Sequence, residues 1–136
     1  GFSPWLHDRV IEVAVVRFDP KGGILDEFST LVNPHRDVGR TDIHGIRASD
    51  LKSAPRWDEI AGDVASRIQD VVIAAHNLRF DVGFVTAEFA RMGVDVPSPL
   101  PGLCTLGLSR RFLPEIGSHK LKHCCGYALE PRGYAF

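Results

Sequence analysis

At 136 residues, with 24% charged and 44% hydrophobic side chains, the chain has the size and composition of one folded domain and is not a disordered segment. A formal net charge of −1 gives no global attraction to a polyanion, so any nucleic-acid site must be local or built around a metal ion. No apolar run reaches the length of a membrane span, and no membrane partner is expected.

Gly1-Phe2-Ser3-Pro4 reads as a turn, and Arg9 to Phe18 as a strand rich in Val and Ile. Asp19-Pro20-Lys21-Gly22-Gly23 has hairpin chemistry, so Ile24 to Val32 should return antiparallel and half-exposed. The loop Asn33-Pro34-His35-Arg36 leaves that strand. Thr41 to Leu51 is a polar turn around His44-Gly45 followed by a short helical piece. Trp57, Ile60, Val64 and Ile68 recur at helical spacing and predict an amphipathic helix over 56–69.

Val71 to Ala75 is an apolar run expected to form a buried strand with neighbours on both sides. His76-Asn77-Leu78-Arg79 is a turn. Apolar residues at 80, 84, 85, 89 and 92 then predict a helix over 80–92. Beyond the rigid Pro97–Pro101 spacer, Leu103-Cys104 reads as a short edge strand. Thr105 is a candidate cap for a helix ending before Pro114, and Ser118 for a last helix over 119–129. Pro131 to Tyr134 reads as a loop.

The strand-to-turn-to-helix passage brings Asp81 to the carboxyl edge of a sheet, where open α/β folds bind ligands. An acid in the first turn of a helix also has a bland explanation, its interaction with the helix dipole. The surrounding residues favour a functional one. His76-Asn77-x-x-Phe80-Asp81 after an apolar strand resembles the second motif of the DEDD 3′–5′ exonucleases, in the DEDDh branch that includes the proofreading epsilon subunit of bacterial DNA polymerase III. Ile43-His44-Gly45-Ile46 is similar to that family's His-Gly-Ile segment. Gly1-Phe2-Ser3-Pro4 resembles the tail of its first motif, Asp-x-Glu-Thr-Thr-Gly, and Pro131 to Phe136 the approach to its third.

The resemblance implies an α/β, RNase H-like three-layer fold with a mixed sheet. It covers 1–136 as a single exonuclease-like domain, expected to be cut at both ends and to lack its first central strand and last helix. The implied activity is metal-dependent hydrolysis of phosphodiesters at the 3′ ends of single-stranded nucleic acid, DNA in the first instance. The cofactor would be Mg²⁺ or Mn²⁺, and a DNA polymerase subunit a possible partner. By the same resemblance Asp81 is the catalytic carboxylate and a metal ligand, and His44, Gly45 and Ile46 contact the 3′-terminal nucleotide. Asn77 and Phe80 contact substrate or shape the site, although Phe80 would equally serve as the first core residue of its helix. Two metal ions about 4 Å apart can deprotonate water and stabilise the leaving oxygen, but they need several carboxylate oxygens. One acid does not suffice, so this stretch alone is expected to be inactive. The alternative is a non-catalytic RNase H-like module that binds nucleic acid or a partner.

Other features carry less. His119, His123 and Cys124 would place two imidazoles and a thiol together on one helix, but without a fourth ligand at recognisable spacing for zinc. Arg110, Arg111, Lys120 and Lys122 could line a phosphate backbone, though solvation is the commoner role. There is no Gly-x-Ser-x-Gly elbow and no Walker or dinucleotide glycine pattern. Three cysteines, an odd number with two adjacent, argue against a disulfide framework and for a reducing, cytoplasmic setting.

Overall fold

The computed structural model describes residues 8–34, 46–96 and 101–129, the last three by backbone alone. The β-rich start of the chain forms β1 (Glu12–Phe18) and β2 (Ile24–Leu31), paired antiparallel with Val15 opposite Phe28 and Phe18 opposite Ile24. Asp19 organises the turn between them. Its carboxylate accepts from the Lys21 and Gly23 N–H groups at 2.8 and 2.9 Å, and its carbonyl accepts from Gly22 N–H at 2.9 Å. Gly22 has φ +88°, a conformation open to a residue without Cβ. The second strand is half-exposed, as its alternation predicts.

The chain divides into two compact units, Gly1–Val71 with Phe84–Val96 and Val72–Gly83 with Pro97–Phe136. In the first, α1 (Ala48–Leu51) and α2 (Trp57–Ile68) each begin with an acid three residues inside the helix reaching back to a free backbone N–H. Asp50 takes that of Arg47 at 2.8 Å and Glu59 that of Arg56 at 3.2 Å. Trp57, Ile60, Ala61 and Val64 of α2 form the core with Val32 and Phe89, and Phe89 meets Trp57 edge-on at 5.4 Å. Each of Val32, Ile60, Val64 and Phe89 contributes about 1.5–3 kcal/mol through removal from water. Arg67 clips α2 to β2: its Nε donates to Asp26 at 2.7 Å while the guanidinium lies 4.6 Å above the Phe28 ring.

One charged residue is sunk in this unit. Glu88 is 1% exposed, and its carboxylate accepts from Arg9 Nε and Nη2 at 2.7 and 2.9 Å, Val10 N–H at 3.2 Å and Arg91 Nη1 at 3.2 Å. These bonds tie α3 (Leu78–Arg91) to the segment entering β1.

The second unit is built on β3 (Ile73–Ala75) and β4 (Gly102–Cys104), a parallel pair with Ile73 opposite Gly102 and Ala75 opposite Cys104. Parallel strands require a crossover, and α3 lies within the connection between them. After β4 come α4 (Thr105–Phe112) and α5 (Leu121–Leu129).

The structure departs from the sequence expectations in four places. α3 begins at Leu78, two residues before Phe80, because the turn at His76-Asn77 is tighter than the apolar spacing suggests. α4 is entered from Cys104, with Thr105 as its first helical residue. α5 begins at Leu121; Ser118 precedes it and accepts from Lys120 N–H at 3.4 Å. Finally, β3 is half-buried and not fully buried, with Val72 beside it 64% exposed. Its single strand partner among the described residues is β4, and β1–β2 and β3–β4 are separate two-stranded sheets there. The expected strand beside β3 is not among the described residues, and neither are Gly1 to Pro4 and Pro131 to Phe136.

Candidate active site

The turn from β3 into α3 is set by one residue. Asn77 has φ +83°, in the left-handed region that Asn tolerates better than most side chains. From that position its carbonyl accepts from Phe80 N–H at 3.1 Å and Asp81 N–H at 3.4 Å, opening the helix. The reversal is therefore complete within His76-Asn77, and Asp81 falls in the first turn of α3 with its side chain exposed. Partial desolvation pushes the Asp81 carboxyl above the usual carboxylate value, and the nearby His76 imidazole, when it carries a second proton, pulls against that rise.

Phe80 is 42% exposed, so it does not start the core stripe of its helix. It stands beside Asp81 at the surface. Asn77 is exposed as well. Asn77, Phe80 and Asp81 are thus brought together on one turn. His44 and Gly45 lie outside the described residues, and Ile46 is half-buried in the first unit.

The turn is held from the side by contacts that sequence reasoning did not foresee. His76 Nδ1 is 3.0 Å from Thr105 Oγ1, and His76 Nε2 is hydrogen-bonded to the carbonyl of His119. Leu78 N–H points at Cys104 Sγ at 3.5 Å. The N–H groups of Gly107 first and Leu78 next hold the Cys104 thiol below its usual range. Gly102 is fitted against Leu78: a Cβ there would stand 2.5 Å from Leu78 Cδ2. A glycine opening and a cysteine closing a three-residue strand, followed by Thr, were the available signal. Only pairing with β3 gives it meaning.

The zinc arrangement does not form among the described residues. His119 precedes α5, so it is not one helical turn from His123, and its Nδ1 is 3.0 Å from Ser109 Oγ. Cys124 Sγ donates to the His119 carbonyl at 3.4 Å. No group of three or more His, Cys, Asp or Glu among the described residues could hold a metal ion. Asp81 is the right chemistry for a hard divalent cation, but a single carboxylate does not make a two-metal cage. The described residues therefore do not by themselves fit the metal pair.

A mixed α/β framework with a parallel β3–β4 pair defines a class: α/β proteins, whose open-sheet members bind ligands at the carboxyl ends of the strands, the position that Asp81 occupies here. The chain belongs to the exonuclease family of the RNase T type, whose model matches residues 1–133. It is 35% identical over 123 residues to DNA polymerase III PolC-type of Bacillus cereus, and 33% over 123 residues to that of Bacillus subtilis (strain 168). Each match covers 88% of the chain, which spans only 8% of those relatives' length. Among solved structures it resembles exonuclease X in complex with 5′ overhanging duplex DNA. That likeness has a TM-score of 0.61 and 24% identity, and covers 98% of this chain and 70% of the other. The fold is accordingly that of the RNase H-like exonucleases. No helix among the described residues is long and apolar enough to cross a membrane.

Proposed function

We propose that this chain is the core of a 3′–5′ exonuclease domain that removes nucleotides from the 3′ ends of single-stranded DNA. The observation that carries the reading is Asp81, raised on the first turn of α3 directly after β3, within a chain matched to an exonuclease family over 1–133. Asp81 is the catalytic carboxylate and binds Mg²⁺ or Mn²⁺. Further carboxylates, from residues other than those described around Asp81, complete the cation pair. Asn77 and Phe80 shape the floor on which the terminal nucleotide rests, and His44, Gly45 and Ile46 contact that nucleotide. DNA is favoured over RNA because the similar proteins carry the name of a DNA polymerase, which also makes a polymerase the expected partner and the cytoplasm the expected compartment.

The test uses the protein at its full natural length, a single-stranded DNA labelled at its 5′ end, and Mn²⁺. The expected product is a ladder shortening from the 3′ end, abolished by a chelator. Asp81→Ala should lower the rate by more than about 100-fold, beyond what loss of an outer-sphere partner costs a metal site. An unchanged rate would remove Asp81 from the chemistry, and shortening from the 5′ end would refute the polarity.

A second reading, a non-catalytic module that keeps the fold to bind nucleic acid or a partner, is favoured by one observation. Among the described residues Asp81 is in no group of three or more His, Cys, Asp or Glu that could hold a metal ion. Titration of Mn²⁺ into the full-length protein separates the two: heat that disappears in Asp81→Ala supports the enzyme, and none in either protein supports the module.

A further inference from the structure

We infer that His76 is a positioning residue for Asp81, its ring fixed by hydrogen bonds at both nitrogens in a chain that links Thr105, His76, His119 and Ser109; the inference rests on the exonuclease reading above. The proton positions follow from the partners. The His119 carbonyl can only accept, so His76 Nε2 carries a hydrogen and donates. In a neutral ring His76 Nδ1 is then an acceptor, and Thr105 Oγ1–H, 3.0 Å away, is its donor. Ser109 has one hydroxyl hydrogen, and the Leu106 carbonyl takes it at 2.8 Å. His119 must therefore donate from Nδ1 to Ser109 Oγ across 3.0 Å. The two imidazoles carry opposite tautomers, that of His76 set by the His119 carbonyl and that of His119 by Ser109, whose hydroxyl hydrogen already goes to Leu106.

What the relay holds is the base of the site. His76 immediately precedes Asn77, the left-handed residue whose carbonyl accepts from the N–H of Asp81. One covalent step and one hydrogen bond separate the anchored ring from the backbone of the carboxylate. Ser109 is 7% exposed, and the rings of His76 and His119 are half-buried, so water does not readily replace these partners. A carboxylate on an exposed first turn has few contacts of its own to fix it, and a misplacement of about 1 Å in a catalytic group costs about 100-fold in rate. The strand-to-helix turn of this chain is braced by imidazole where a shorter side chain would leave Asn77 free to change its φ.

Two measurements on the full-length protein decide it. In long-range ¹H–¹⁵N spectra of histidine-labelled protein, His76 should show the Nε2–H pattern and His119 the Nδ1–H pattern. The reverse tautomer at either ring, or averaging between the two, would overturn the relay whatever the protein hydrolyses. In the single-stranded DNA assay, Thr105→Val should lower kcat by about 3–10-fold and His76→Ala by about 10–100-fold, with KM changed less than about 3-fold. His76→Gln, whose amide can still donate to the His119 carbonyl, should recover part of the loss. If wild type is Asp81-dependent and His76→Ala keeps its full kcat, the positioning role is wrong. If hydrolysis is indifferent to Asp81 the exonuclease reading itself fails, and the tautomer spectra still stand or fall alone.

Discussion

The ion cluster around Glu88 makes a prediction whose sign depends on which partner is removed. Glu88 is 1% exposed, whereas Arg9 and Arg91 are 28% and 29% exposed. When Glu88→Leu removes the carboxylate, both guanidiniums can turn toward water, and the loss is confined to the Val10 N–H and the mismatched shape, about 1–3 kcal/mol. When Arg9→Met removes the cation, a carboxylate that water cannot reach loses its two shortest bonds, at 2.7 and 2.9 Å, and keeps only Val10 N–H and Arg91. Breaking a buried pair in that sense costs about 3–5 kcal/mol. Arg91 offsets part of this, leaving about 2–4 kcal/mol. Against a total stability of about 5–15 kcal/mol, either change is readily measured by urea denaturation. The double variant should lie near Glu88→Leu alone, because once the carboxylate is absent Arg9 has little left to neutralise. A larger loss for Glu88→Leu than for Arg9→Met, or simple additivity, would refute the view that the stranded carboxylate sets the cost.

Asp81→Asn should stabilise the protein at neutral pH while reducing nuclease activity. The folded carboxyl is held above its ordinary value of 3.8, so the charged form is disfavoured by folding. That penalty is absent below the ordinary value and is fully present once pH has risen past the raised one. Thermal melts of the two proteins should therefore converge in acid and separate toward neutrality, and separation in the opposite direction would contradict the desolvation argument. Gly102→Ala should cost about 1–3 kcal/mol by overpacking, since the new methyl meets Leu78 Cδ2 at 2.5 Å and the Ile73 carbonyl at 3.0 Å; an unaltered denaturation midpoint would show that the turn yields easily. Arg67→Ala should release α2 from β2 at a cost of about 1–2 kcal/mol, through the Asp26 bond and the Phe28 contact together, and an Asp26→Asn, Arg67→Ala cycle should return a coupling of about 0.5–1 kcal/mol.

Local chemistry in the sequence was enough to determine the elements and the family likeness. Val and Ile runs gave β1, the 57-60-64-68 spacing gave α2, Asp19 through Gly23 gave the hairpin, and His76-Asn77-x-x-Phe80-Asp81 pointed to the site, because each signal lies within a few residues. Tertiary structure decided what depends on partners far along the chain. Nothing in the α3 sequence marks Glu88 as buried until Arg9 arrives from 79 residues away. His119 offers only a weak zinc reading with His123 and Cys124 until its ring is found on Ser109 and its carbonyl on His76, 43 residues back. Phe80 reads equally as a site residue and as core until the helix start at Leu78 leaves it 42% exposed. Periodicity reports which face of an element is apolar, but the identity of a side chain's partner is a property of the folded topology, and only there do His76, Glu88 and Gly102 meet theirs.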